Sequence, residues 1–142
     1  MPSPAVQATS LIVRLARELR TALDQRFAPF GLTSQQAGLL VHVFTGQSSP
    51  RRLADLLGTD TAGITRLVDR LAAKELVRRA PDPADRRAVV VELTAAGRSL
   101  IPELPPVFEA VAADLTRGVD PGDAAALLQT MLGNLKPAEN TD

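Results

Sequence analysis

The sequence predicts a mainly α-helical chain with one small β-hairpin: a winged helix-turn-helix flanked by a helical region contributed by both termini. Three observations carry that reading. Apolar residues recur every three or four positions along most of the chain, the period of a helix with one buried face. The stretch 76–93 breaks this period, with a short strand-like run, Leu76-Val77-Arg78-Arg79, and a β-branched run, Ala88–Leu93, on either side of Pro81-Asp82-Pro83-Ala84-Asp85; β-branched residues favour strands, and proline and aspartate favour turns. The two helices before it meet at a tight turn holding Gly58, and helix, turn, helix, hairpin is the order of a winged helix-turn-helix.

The first helix is expected over Thr9 to Phe27, where Ile12, Leu15, Leu19, Ala22, Leu23 and Phe27 share one face. Pro29 and Gly31 end it. Thr33 with Gln36 three residues on forms a capping box, which starts a second helix running to about Phe44. Ser49 caps a short third helix with Pro50 at its first position, where a missing amide costs nothing, and Gly58 closes it. Asp60 caps a fourth, whose buried stripe is Ile64, Leu67, Val68 and Leu71. Leu76–Arg79 and Ala88–Leu93 read as the two strands of a hairpin with a long tip. Thr94 caps a helix that should reach about Arg117, with a kink or break at Pro102, Pro105 and Pro106. Gly118 ends it. Asp120-Pro121 opens a last helix with Leu127, Leu128, Met131, Leu132 and Leu135 as its apolar stripe. From Pro137 the tail is polar and expected to fray.

Composition bounds the function. A chain of 142 residues, 45% hydrophobic and 23% charged, fits one ordinary globular domain over 1–142. No apolar run approaches the roughly 20 residues of a membrane span. The segment Met1–Ser10 has no basic residue ahead of an apolar core, so it does not read as a signal peptide. A cytoplasmic chain with no membrane partner is expected. With no cysteine and a single histidine, His42, neither a disulfide nor a thiolate or histidine-rich metal site can form. No glycine-rich phosphate loop and no nucleophile–base–acid spacing is present. The chain is therefore expected to be no enzyme and to need no cofactor.

The formal net charge is zero, yet it is unevenly spread. Residues 1–50 sum to +2, residues 51–87 to +3 and residues 88–142 to −5. A basic middle offset by an acidic last third implies that one end faces phosphate and the other does something else.

The second helix of such a pair can lie in the major groove of DNA. Its exposed side here carries Thr61, Ala62, Thr65, Arg66, Asp69 and Arg70. The leading end is small enough for close approach, the threonines offer hydroxyl and methyl groups, and Arg66 can bind guanine bidentately. Thr61, Ala62, Thr65, Arg66 and Arg70 are the candidate readers. Asp69 is expected to pair with Arg66 or Arg70. Arg86 and Arg87 at the hairpin tip suit a narrow, electronegative minor groove. Asp85 is placed to orient a neighbouring arginine, since a bare carboxylate would be repelled by phosphate.

Leu53-Ala54-Asp55-Leu56-Leu57-Gly58, Thr65-Arg66-Leu67-Val68-Asp69-Arg70-Leu71, Asp82-Pro83-Ala84-Asp85-Arg86-Arg87 and Leu93-Thr94-Ala95-Ala96-Gly97-Arg98 together resemble the MarR family of bacterial regulators. The Asp-x-Arg of the wing, Asp85 and Arg87, is the most specific piece, and the likeness spans about residues 9–136. It implies a homodimer formed through the first helix and the last two, with 33–94 as the DNA-binding part and 9–30 and 95–136 as dimerisation helices. It implies double-stranded, pseudo-palindromic operator DNA as partner, usually with repression. It also implies release of DNA when a small, often aromatic and anionic effector enters a pocket between the two parts. Arg14, Arg17 and His42 are the candidate effector contacts, although His42 reads first as a packed or partly exposed helix residue. The chain lacks the cysteine of the oxidation-sensing branch, so thiol-based peroxide sensing is excluded. Two rival readings are a winged-helix protein-interaction module and a small-molecule binder that has lost DNA binding. The exposed basic residues of helix and wing weigh against both.

Overall fold

The Ser3 hydroxyl accepts from the Val6 amide, and Pro4 follows at the first helical position. These two residues start the first helix, α1 (Pro4–Phe27), earlier than the apolar period predicts from Thr9. The computed structural model describes residues 1–136, so the fraying expected from Pro137 lies outside the described residues. A single 3-10 turn, Ala28–Phe30, follows α1, and Gly31 ends it at φ 70. Thr33 and Gln36 form both hydrogen bonds of the expected capping box, each 3.2 Å, and start α2 (Ser34–Phe44). The Asp24 carboxylate accepts from the Ser34 amide at 2.7 Å, which ties the end of α1 to the start of α2.

Ser49, Pro50 and Gly58 bound α3 (Pro50–Leu57) as predicted, with Gly58 left-handed at φ 65. Asp60 caps α4 (Thr61–Ala73) by accepting from the Gly63 amide at 2.7 Å. Strands β1 (Val77–Pro81) and β2 (Val89–Leu93) pair antiparallel, Val77 opposite Leu93 and Pro81 opposite Val89. Thr94 then caps α5 (Ala95–Leu100). The prolines break the next segment as expected. A 3-10 turn, Ile101–Glu103, holds Pro102, and α6 (Leu104–Leu115) begins with Pro105 and Pro106 in its first turn, where absent amides cost least. Leu100, Ile101, Glu103 and Leu104 all stay in the right-handed helical region, so the chain tightens without looping out. Ile101 and Leu104 both point into the core. After Gly118 at φ 76, Asp120 caps α7 (Pro121–Leu135).

The core is built where α1, α2, α3, α4, α6 and the hairpin meet. Phe27, Leu39, Leu40, Leu53, Ile64, Val68, Leu71, Val91 and Leu104 are fully enclosed. Phe27 packs on Phe108 with ring centroids 4.7 Å apart. The two ends of the chain depart from this pattern. Within α1 the predicted stripe is buried only towards its C-terminal end; Leu11, Ile12, Val13 and Leu15 are exposed. In α7 every residue but Ala124 is exposed, Leu135 at 83% and Leu127 at 61%.

Candidate nucleic-acid interface

The face of α4 is set by its stripe. Gly63, Ile64, Leu67, Val68 and Leu71 are buried, which turns Thr61, Ala62, Thr65, Arg66, Asp69 and Arg70 outward. The Thr65 hydroxyl donates to the Thr61 carbonyl at 3.0 Å, leaving its methyl and its lone pairs for a partner. Arg66 and Arg70 make no ion pair among the described residues. Asp69 departs from expectation. It pairs with neither arginine of its own helix but with Arg79 of β1, Nη2 to Oδ1 at 2.7 Å, and the same nitrogen donates to the Thr65 carbonyl at 3.3 Å. The strand runs beside the flank of α4 that carries Thr65 and Asp69, and Arg79 spans the gap. Helix and wing are thus joined by a strut.

The wing is held at its base, its middle and its tip. At the base the Thr94 hydroxyl donates to the Glu75 carbonyl at 2.6 Å, and the Thr94 amide to that of Leu76 at 3.1 Å. In the middle Arg78 pairs across the strands with Glu92 at 3.0 Å, and the Val91 amide donates to the Ser48 carbonyl at 3.0 Å, docking the loop before α3. At the tip, Asp82 accepts from the Ala84 amide at 2.9 Å and Asp85 from the Arg87 amide at 3.0 Å. Side chains bonding their own backbone two residues on are a standard turn device. Asp85 therefore orients Arg87 through the main chain; no ion pair between Asp85 and a neighbouring guanidinium forms among the described residues. Arg86 and Arg87 are left exposed, with no ion-pair partner among the described residues.

Two clefts border this unit. A mostly apolar one of about 480 Å³ lies between α1, α2, the end of α3 and α6; Leu19, Leu23, Val41, Leu57 and Phe108 line it, with Arg20, His42, Gln35 and Ser34 as its polar groups. The structure puts His42 on its wall, half-buried, but not Arg14 or Arg17, which are exposed elsewhere on α1. Arg20 takes the position expected of them. Helical spacing could have found it, since Ala16, Leu19, Arg20 and Leu23 follow the i, i+3, i+4, i+7 pattern of one face. A smaller polar cleft of about 130 Å³ lies on the flank of α4 away from the wing, lined by Gln35, Thr59, Gly63, Arg66, Leu67 and Arg70. Gln35 borders both clefts. Among the described residues no group of acids and histidine could hold a metal ion, and no helix is long and apolar enough to cross a membrane.

A capped short helix, a glycine turn, a second helix with an unpaired basic face and a hairpin with arginines at its tip define a winged helix-turn-helix DNA-binding protein. Comparison with known proteins narrows the class. A family model described as the MarR family matches residues 30–88. The HTH-type transcriptional repressor NicR of Pseudomonas putida is 30% identical over 141 residues, covering 98% of this chain and 89% of that protein. The chain belongs to the MarR family of transcriptional regulators. Among solved structures, a mutant MarR from E. coli complexed with operator DNA matches with TM-score 0.77 and 25% identity over 93% of this chain and 96% of that one. BpsR of Bordetella bronchiseptica, whose DNA binding is regulated by 6-hydroxynicotinic acid, matches with TM-score 0.79 and 25% identity over 96% and 99%.

Proposed function

We propose that this protein is a dimeric, sequence-specific repressor that reads a pseudo-palindromic operator and lets go when a small anionic ligand enters the apolar cleft. The observation that carries the DNA part is the pair of unpaired basic elements, Arg66 and Arg70 on α4 and Arg86 and Arg87 at the tip, on a scaffold that spends side chains on fixing their relative position. Thr61, Ala62, Thr65 and Arg66 face the bases of the major groove, and Arg87 enters the minor groove.

Dimerisation is supported by the apolar ends of the chain. Leu11, Ile12, Val13 and Leu15 of α1 and Leu127, Leu128, Met131, Leu132 and Leu135 of α7 are all exposed in one protomer. The apolar face of α7 is the kind of exposed patch that marks an interaction site, and a second copy offers the same surface in return. A two-fold dimer also explains a palindromic operator, since each protomer reads one half-site.

The ligand reading rests on the chemistry of the larger cleft. Its walls are mostly apolar, with Arg20 as a cation and His42, Gln35 and Ser34 as hydrogen-bonding groups, which suits a small ring bearing a carboxylate. The 6-hydroxynicotinic acid that regulates BpsR is a molecule of that class. Ligand can shift the protein only through different affinities for the DNA-competent and incompetent forms. The cleft sits between α1, which leads to the dimer surface, and α2 and α3, which support α4.

A gel shift with the promoter DNA of the protein's own locus tests the reading. Retardation that survives excess random DNA supports it; no retardation over random DNA at low salt contradicts it.

A further inference from the structure

The polar cleft on the flank of α4 has its own chemistry. Arg66, Arg70, Gln35 and Thr59 line it and no acidic residue does; the Asp60 carboxylate next to it is engaged by the Gly63 amide at 2.7 Å. Both arginines lack an ion-pair partner among the described residues. At about 130 Å³ the cleft is well below the ~300–1,000 Å³ of small-molecule pockets, a scale that suits one tetrahedral oxyanion better than a nucleotide. Gly63 lets the Thr59 side chain pack against the start of α4: a Cβ there would lie 2.1 Å from the Thr59 hydroxyl oxygen and 3.3 Å from Asp60 Oδ1.

Position on the helix gives the cleft its meaning. Successive residues turn by ~100°, so Ala62, Arg66 and Asp69 point away from the core. Thr65 turns towards the wing side, where Arg79 reaches it. Arg70 turns the other way, to the side of Gly63, Thr59 and Gln35. A helix ~10–12 Å across in a groove ~12 Å wide meets bases at its centre and a phosphate strand at each flank.

From this geometry we infer that the cleft seats one phosphodiester of the DNA backbone in each protomer between Gln35, Thr59 and Arg70, with Arg66 at its base-facing rim, and that Arg70 is a phosphate clamp, not a base reader. This rests on the DNA-binding reading above. It departs from the base-reading role that the sequence alone proposes for Arg70.

The test begins by selecting a binding sequence from a random duplex pool with the full-length protein. Failure of that step sinks the DNA-binding reading, and this inference with it. Fluorescence anisotropy then compares the native chain with Arg70→Gln over a salt series, on the selected and on a random duplex. Both are repeated with single backbone phosphates of the selected duplex replaced by neutral methylphosphonate. Arg70→Gln should lose about tenfold affinity on both duplexes, leave their ratio unchanged and lower the salt slope by about one for each protomer bound. At one phosphate in each half-site, neutralisation should weaken the native chain by a similar factor and the variant not at all. A loss confined to the selected duplex would make Arg70 a base reader and overturn the inference. Losses that simply multiply at every phosphate position would overturn it too. A third arm adds inorganic phosphate at fixed ionic strength. If it displaces DNA from the native chain but not from the variant, with no methylphosphonate-sensitive position, the cleft binds a free oxyanion and the DNA assignment fails.

Discussion

Arg87 stands at the tip of the wing with an unpaired guanidinium and an amide tied to the Asp85 carboxylate. Its backbone is fixed while its side chain is free, the state expected of a residue whose partner is another molecule. Arg87→Ala should weaken DNA binding about tenfold or more and flatten the salt dependence, measured by anisotropy over a salt series; unchanged affinity would remove the wing from the interface. Gly97 is constrained in the opposite way. A Cβ there would lie 2.1 Å from the Leu76 carbonyl oxygen, a backbone atom that cannot swing aside. Gly97→Ala should cost about 1–3 kcal/mol in urea unfolding, because the base of the wing must shift. The arginine was legible in the sequence from charge and turn context. The reason for the glycine was not: it lies in a close approach between segments some twenty residues apart. Arg20 was missed because Arg14 and Arg17 are equally basic, and only the helix face decides which lines the cleft.

The elements were the most legible level, because each carries its own boundary chemistry. Thr33, Ser49, Asp60, Thr94 and Asp120 all cap helices by accepting from an amide three residues on. The relation between elements was less legible. Asp69 was expected to pair within its helix, yet it reaches β1, since which strand lies beside α4 is a tertiary fact. With side chains 40% and 60% exposed, the Arg79–Asp69 pair should stabilise the fold by only about 0.2–1 kcal/mol. Its effect should instead appear in DNA binding. Asp69→Asn removes a negative charge from the DNA-facing side, so Coulomb attraction alone predicts tighter binding. The strut predicts weaker binding, with thermal stability nearly unchanged. It also predicts that Arg87→Ala costs less in the Asp69→Asn background than in the native chain, because the wing is already misplaced. Tighter binding, or strictly additive losses, would show that the strut does not set the wing.

At the scale of the whole molecule, one protomer is incomplete. Its core ends at α6, and α7 offers an apolar face that no part of the described chain covers. Leu128→Glu combined with Leu132→Glu should give a folded monomer by light scattering and circular dichroism, since neither side chain is in the core. Operator affinity should fall by about 10²–10⁴, the advantage lost when two linked sites become one. The stripe of α7 was visible in the sequence, but sequence period cannot tell a face buried in the same chain from one buried against a copy. The uneven charge also fits at this level: the basic stretch holds α4 and most of the wing, the proposed DNA elements, and the acidic last third includes α7, the helix proposed to meet the partner. Two reading units held at a fixed distance must meet half-sites about one turn apart, ~34 Å or 10–10.5 base pairs. The direct measurement is a gel shift on the selected operator with about five base pairs, half a turn, inserted between its half-sites. A rigidly spaced dimer predicts that affinity collapses to that of a single half-site and returns in part when a full turn is inserted. Affinity indifferent to the insertion would contradict a dimer that reads both half-sites at once.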